Sequence, residues 1–221
     1  MKICCYATDP HPGLDLLKKT CPDLVMLPKV CEWDWYFYPK WEAFRKYLSF
    51  HSSPSEIVMI VDAYDVLMLN LYAIPGQVEI MSSIVLGNRD IVFNAEKGCY
   101  PVSELKSEYP ISGSPWNYLN AGCAVGRVGA WQYHLDIVLP KMRSAMDQEV
   151  WTRHFLANQD KIGLDNNCDL FQSYAFIDPD DYEYQEVFIR NKVTGSYPAV
   201  WHGNGRTPMT DLHPYILPCG T

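Results

Sequence analysis

Ile57-Val58-Met59-Ile60-Val61-Asp62-Ala63-Tyr64-Asp65 joins five consecutive apolar residues to two carboxylates. The apolar part follows a Ser-Pro-Ser turn and shows no alternation. A short run of this kind reads as a strand buried on both faces, as in a parallel sheet. In an open α/β sheet, ligands gather where such strands end. Two hard oxygen donors at that place suit Mg²⁺ or Mn²⁺, which in turn would hold a diphosphate. The plainer alternative is that Asp62 caps a following helix and Asp65 is a solvated acid of its first turn.

The surrounding sequence alternates in the same manner. Strands are expected at Lys2 to Ala7, Leu24 to Leu27 and Asp90 to Asn94. Helices are expected at Pro12 to Thr20, at Lys40 to Phe50 with Trp41, Phe44 and Leu48 on one face, and at Pro75 to Val85. This order predicts an α/β fold with a Rossmann-like, mostly parallel central sheet flanked by helices. Further along, Tyr118 to Gly126 reads as a strand rich in small residues. Val128 to Met146 and Asp147 to Asn158 read as helices, and Cys168 to Tyr174, Glu186 to Ile189 and Ala199 to Trp201 as short strands. Lys97 to Pro115 is a Gly/Pro/Ser-rich connection long enough to serve a function.

Composition narrows the function classes. The 221 residues make a single domain, at 48% hydrophobic and 20% charged residues. A net charge of −8 argues against a nucleic-acid partner, since no general phosphate-tracking surface is available. No apolar run approaches a membrane span. The eight cysteines contain no C-x-x-C pair, and Cys4 and Cys123 read as small buried hydrophobes. Met1 leads straight into the first strand without a signal-like apolar region, so a reducing, cytoplasmic setting is expected unless the chain is a fragment cut from a longer protein.

Other residues could carry chemistry. His202 lies in Trp201-His202-Gly203-Asn204-Gly205; the flanking glycines suggest an exposed imidazole, available as a third metal ligand, and a backbone open to phosphate. Glu96, in Phe93-Asn94-Ala95-Glu96, stands just past another strand and could accept hydrogen bonds from sugar hydroxyls. Asn120 precedes the small residues Ala121 and Gly122. Asp147 opens a helix, where an acid is commonly a partner of the helix dipole.

Taken in order, Val61-Asp62-Ala63-Tyr64-Asp65-Val66, Phe93-Asn94-Ala95-Glu96, Tyr118-Leu119-Asn120-Ala121-Gly122, Asp147-Gln148, Leu164-Asp165 and His202-Gly203-Asn204-Gly205 resemble the glycosyltransferase domain of the procollagen lysyl hydroxylases and collagen glycosyltransferases. The resemblance runs from Tyr6 to about Gly205. Stand-alone microbial and viral forms of this domain exist, and the resemblance carries no collagen acceptor with it. It implies a GT-A fold that binds a UDP-sugar through Mn²⁺ or Mg²⁺. Asp62, Asp65 and His202 match its metal ligands. Tyr64, Ala7, Thr8, Trp33 and Lys40 match its nucleotide side, and Gly203 and Gly205 its phosphate side. Asp147, Glu96 and Asn120 match sugar- and acceptor-side positions. Residues 1–115 would then form the nucleotide-binding half and 116–221 the acceptor-side half. Where the family has a Gly-rich stretch, this chain has the aromatic Asp34-Trp35-Tyr36-Phe37-Tyr38-Pro39.

The expected reaction moves a hexose from a UDP-sugar to a hydroxyl of a glycan or glycoprotein, with Asp147, then Glu96, as base. Two alternatives use the same fold: a hydrolase of nucleotide-sugars with water as acceptor, and a sugar-binding module without catalysis.

Overall fold

The computed structural model describes residues 1–32, 35–51, 53–69, 76–185 and 188–216. Trp33, Pro75 and Glu186 lie outside them. A central sheet of six strands has the order β2-β1-β3-β6-β5-β7. Its strands are β1 (Lys2–Cys5), β2 (Val25–Met26), β3 (Ile57–Val61), β5 (Ile91–Glu96), β6 (Tyr118–Arg127) and β7 (Ile162–Asp165). A second sheet sets β11 (Val200–His202) between β4 (Val66–Met68) and β8 (Phe171–Ser173), and a small ribbon pairs β9 (Tyr182–Tyr184) with β10 (Ile189–Asn191).

β3 runs parallel to β1 but antiparallel to β6. The continuous apolar run therefore marked burial on both faces and left strand direction open. Val58 and Ile60 enter one core with Trp41, Phe44, Trp131 and Trp151. Met59 and Val61 enter a second with Leu14, Leu17, Val78 and Leu86. Helices α2 (Tyr38–Leu48), α4 (Val128–Val138) and α5 (Asp147–Leu156) cover the first face, and α1 (Pro12–Thr20) and α3 (Gln77–Leu86) lie on the other.

Several expectations are corrected. The helix expected over Val128 to Met146 ends at Val138, because Pro140 cannot continue it; a short 3₁₀ turn follows at Lys141–Arg143. The strand expected over Cys168 to Tyr174 covers only Phe171–Ser173, after Cys168 takes a left-handed backbone at φ 52°. No helix follows Asp62 and Asp65. The chain turns directly into β4, so neither acid is a helix cap. Strand β7, with its short, weakly patterned Ile-Gly-Leu-Asp sequence, was not anticipated. Cys4, Cys5, Cys123 and Cys168 are buried thiols. Among the described residues, no helix is long and apolar enough to cross a membrane.

Candidate active site

Strands β1, β3, β5 and β7 point the same way, and their carboxyl ends deliver Ala7, Asp62, Glu96 and Asp165 to one edge of the sheet. Asp62 follows the last residue of β3, and its N–H donates to the carbonyl of Gly122 on β6 at 2.7 Å. Asp65 closes the turn into β4. Its carbonyl accepts the N–H of Gly203 at 2.7 Å, which ties that turn to the end of β11.

This tie brings the third residue in. His202 Nε2 lies 3.5 Å from Asp62 Oδ2 and 3.6 Å from Asp65 Oδ2. One donor atom from each of the three residues fits within a span of 4.8 Å. The separations from His202 exceed good hydrogen bonds. They approach the ~3 Å between neighbouring ligands of one ion with bonds near 2.1 Å. Two carboxylates and an imidazole also form a donor set that suits Mn²⁺ or Mg²⁺. The residues present therefore fit a divalent ion.

His202 is 3% exposed, contrary to the expectation of an exposed imidazole. Its ring packs over Gly122, where an added Cβ would come within 2.0 Å of His202 Cε1 and 2.7 Å of Asp62 Oδ2. Gly122 thus admits the imidazole to the cluster. Gly122→Ala is expected to destabilise the fold by about 1–3 kcal/mol, as overpacking does. It is also expected to remove any Mn²⁺-dependent UDP shift in a thermal melt. A shift of parental size in the variant would show that the glycine does not place His202.

Lys40, from the first turn of α2, lies at the centre of the charge balance. Its buried ammonium donates to Asp62 Oδ1 at 2.6 Å and to the Ala121 carbonyl at 3.0 Å. Burial works against its charge, but Asp62 and Asp147 outweigh burial and raise its pKa. The same contest governs Asp65 and His202. Desolvation opposes charge on both partners, yet Asp65 and His202 stabilise each other, so Asp65 is lowered and His202 raised.

Glu96 is the hub of a second group. Its Oε1 accepts amide N–H bonds from Asn120 at 3.1 Å and Gln148 at 2.7 Å. Its Oε2 accepts one from Asn204 at 2.8 Å. Burial raises its pKa despite these donors. Gln148 also donates to the Tyr100 carbonyl and accepts from Ala121 N–H. Asn204 Oδ1 takes the N–H groups of Tyr174 and Ala175. In the sequence, Gln148 and Asn204 stand only as parts of the Asp147-Gln148 and His202-Gly203-Asn204-Gly205 motifs. Their bracing role had no local signal, since both act through contacts between distant segments.

Asp147 lies on the sheet-facing side of α5, 6% exposed. Trp41 Nε1–H donates to its Oδ2 at 2.8 Å, and the Gln148 N–H to its Oδ1 at 2.7 Å. Burial pushes its carboxyl up to about 6. Asp165 is likewise pushed up to about 6 by burial, and accepts the N–H groups of Asp169, Leu170 and Phe171. Among the residues that the resemblance assigns to the nucleotide, the Tyr64 phenol oxygen accepts the N–H of Thr8 at 2.9 Å, and it also accepts the N–H of Asp9 at 3.0 Å. Ala7, Thr8 and Tyr64 thus converge. Gly205 and Arg206 both take left-handed backbones, at φ 67° and 64°, and both are exposed, a few residues past His202.

Fold and site together define a GT-A-type glycosyltransferase domain. A solved glycosyltransferase involved in glycosylation of the major capsid of PBCV-1 superposes with a TM-score of 0.57 at 14% identity, covering 92% of each chain. A galactosyltransferase solved with donor and acceptor sugar analogues gives 0.53 at 14% identity, covering 93% of this chain and 87% of the other. The family model described as the PLOD GT domain matches residues 39–216, and the chain belongs to that family. Procollagen-lysine,2-oxoglutarate 5-dioxygenase of Drosophila melanogaster is 30% identical over 176 residues, which is 75% of this chain and 23% of the fly protein. An uncharacterised protein of Acanthamoeba polyphaga mimivirus is 28% identical over 156 residues, which is 68% of this chain and 32% of the viral protein. The chain thus matches between about a quarter and a third of the length of these relatives.

Proposed function

We propose that this chain is a metal-dependent hexosyltransferase that moves a sugar from a UDP-sugar to a hydroxyl of a glycan or glycoprotein. The observation that carries this reading is the Asp62, Asp65 and His202 cluster, with its donor atoms within 4.8 Å of one another at the carboxyl end of β3. Asp62, Asp65 and His202 would hold a divalent ion, which would supply Lewis-acid stabilisation to a departing diphosphate. Lys40 holds Asp62 by one oxygen and leaves the other facing His202. Tyr64, Thr8 and Ala7 are assigned to the nucleoside. The exposed backbone of Gly205 and the side chain of Arg206 are assigned to the phosphates. Gly203, whose N–H is taken by Asp65, anchors that loop. Asp147 is assigned the acceptor proton, since a carboxyl pushed up to about 6 suits a base working near neutral pH. Glu96 and Asn120 brace the sugar side.

A thermal melt tests the metal and nucleotide together. UDP at 100 times its dissociation constant stabilises a protein by about 2.7 kcal/mol, roughly 5–10 °C for a chain of this size. The shift is expected with Mn²⁺ and is expected to vanish in excess EDTA. An equal shift in EDTA would overturn the metal assignment. Product analysis with and without an added acceptor separates transfer from hydrolysis.

A further inference from the structure

We propose that Phe176 is a stacking platform for the pyranose ring of a sugar acceptor. This deepens the transferase reading above and rests on it. Isolated exposed apolar residues are ordinary on protein surfaces. Phe176 differs in being both exposed and held. It is 76% exposed, yet its backbone is left-handed at φ 59°, a conformation that bulky side chains avoid. Strain of this kind persists only where the surroundings impose it, and it collects at ligand sites.

The surroundings impose it from three directions. Before Phe176, Asn204 Oδ1 binds the N–H groups of Tyr174 and Ala175. After it, Lys97 pairs with Asp181 at 3.0 Å, both side chains partly buried. Beneath it lies Gly98, where an added Cβ would meet Phe176 Cε2 at 3.2 Å, so the glycine leaves room for the ring. Each tether returns to the site. Asn204 also holds Glu96, and Lys97 and Gly98 directly follow Glu96. Phe176 stands three residues past Ser173, the register partner of His202, which puts its Cα within about 11 Å of Ser173.

A solvent-facing aromatic ring on a constrained backbone suits a ligand with one apolar face and many hydroxyls. The C–H face of a pyranose meets that description: its C–H groups cover the ring while its hydroxyls reach water and neighbouring polar groups. A peptide hydroxyl alone would gain nothing from the platform.

The test uses methyl glycosides of glucose, galactose, mannose and xylose, by saturation-transfer NMR with UDP and Mn²⁺ present. Phe176→Gly removes the ring and suits φ 59°, so it leaves folding intact; Phe176→Trp retains a platform. The parent is expected to bind at least one glycoside through its ring C–H protons. Phe176→Gly is expected to lose about tenfold in that affinity, and Phe176→Trp to stay near the parent. The UDP shift is expected to be the same in all three. Parental glycoside binding by Phe176→Gly, absence of binding by the parent, or parallel loss of glycoside and UDP binding in Phe176→Gly would each overturn the proposal. Glycoside discrimination without any UDP binding, in either medium, would support the platform and overturn the nucleotide reading.

Discussion

His202→Ala is expected to abolish the Mn²⁺-dependent UDP shift and to cut transfer by more than about 10²-fold. Loss of a second-shell partner alone typically costs 10–100-fold in metal affinity or activity, and His202 would be a direct ligand. Stability is also expected to fall without metal or nucleotide. The buried ring leaves a void, and Asp62 and Asp65 lose the cation between them. The pH dependence separates these effects. The pKa of His202 is raised: burial opposes its charge, but Asp65 and Asp62 prevail. A raised folded pKa contributes stability that is complete below the ordinary histidine value of 6.5 and is lost as pH rises through the folded value. The metal-free penalty of His202→Ala should therefore be larger at pH 6 than at pH 9. Metal affinity should run the opposite way in the parent, because a ligating imidazole must first lose its proton. A variant that melts lower by the same amount at both pH values, with its Mn²⁺-dependent shift intact, would mark His202 as a packing residue.

Asp147→Asn should reduce transfer by about 10²–10⁴-fold while leaving UDP and Mn²⁺ binding at parental strength. The size follows from removing a base whose carboxyl is pushed up to about 6. Asparagine keeps one acceptor oxygen, so it can hold the Gln148 N–H but leaves the Trp41 indole N–H facing an amide NH2. That cost is expected to lower stability at every pH without removing the side chain's volume. The parent's transfer rate should show an acid limb near pH 6. Stability supplies an independent readout. Burial raises this pKa from 3.8 to about 6, a difference on the order of 3 kcal/mol. That stabilisation is complete below about pH 4 and is lost as pH rises through 6. The melting temperature of Asp147→Asn relative to the parent should therefore improve between pH 4 and pH 8. Transfer within about threefold of the parent would make Asp147 a brace for Trp41 and Gln148 and pass the base role to Glu96.

Much of the frame was legible along the chain. Pro12–Thr20 and Ile57–Val61 occur at the expected positions, because each carries its own cue: a proline in the first helical turn, or an unbroken apolar run behind a turn. The candidates Asp62, Asp65 and His202 stood out as well, since acids at a strand end and a histidine before Gly-Asn-Gly are local patterns, and the structure brings the three side chains together. The order of motifs placed the chain in its family, which the match over residues 39–216 bears out.

What local pattern could not reveal was which surfaces meet. Hydrophobic periodicity reports that a face is buried without naming what buries it, so the reversed direction of β6 and the small sheet of β4, β11 and β8 were open. The same limit hid the burial of His202, which depends on Gly122 lying beneath its ring. Lys40 and Ala121 are 81 positions apart, and Asn204 and Glu96 are 108 apart. Neighbouring residues carry no trace of such pairings. Residue types and their order were enough to place the chain in its family, because a motif is carried by the side chains themselves. The charge balance around Asp62 and the hub on Glu96 belong to the packed chain, because burial and partner distance set them.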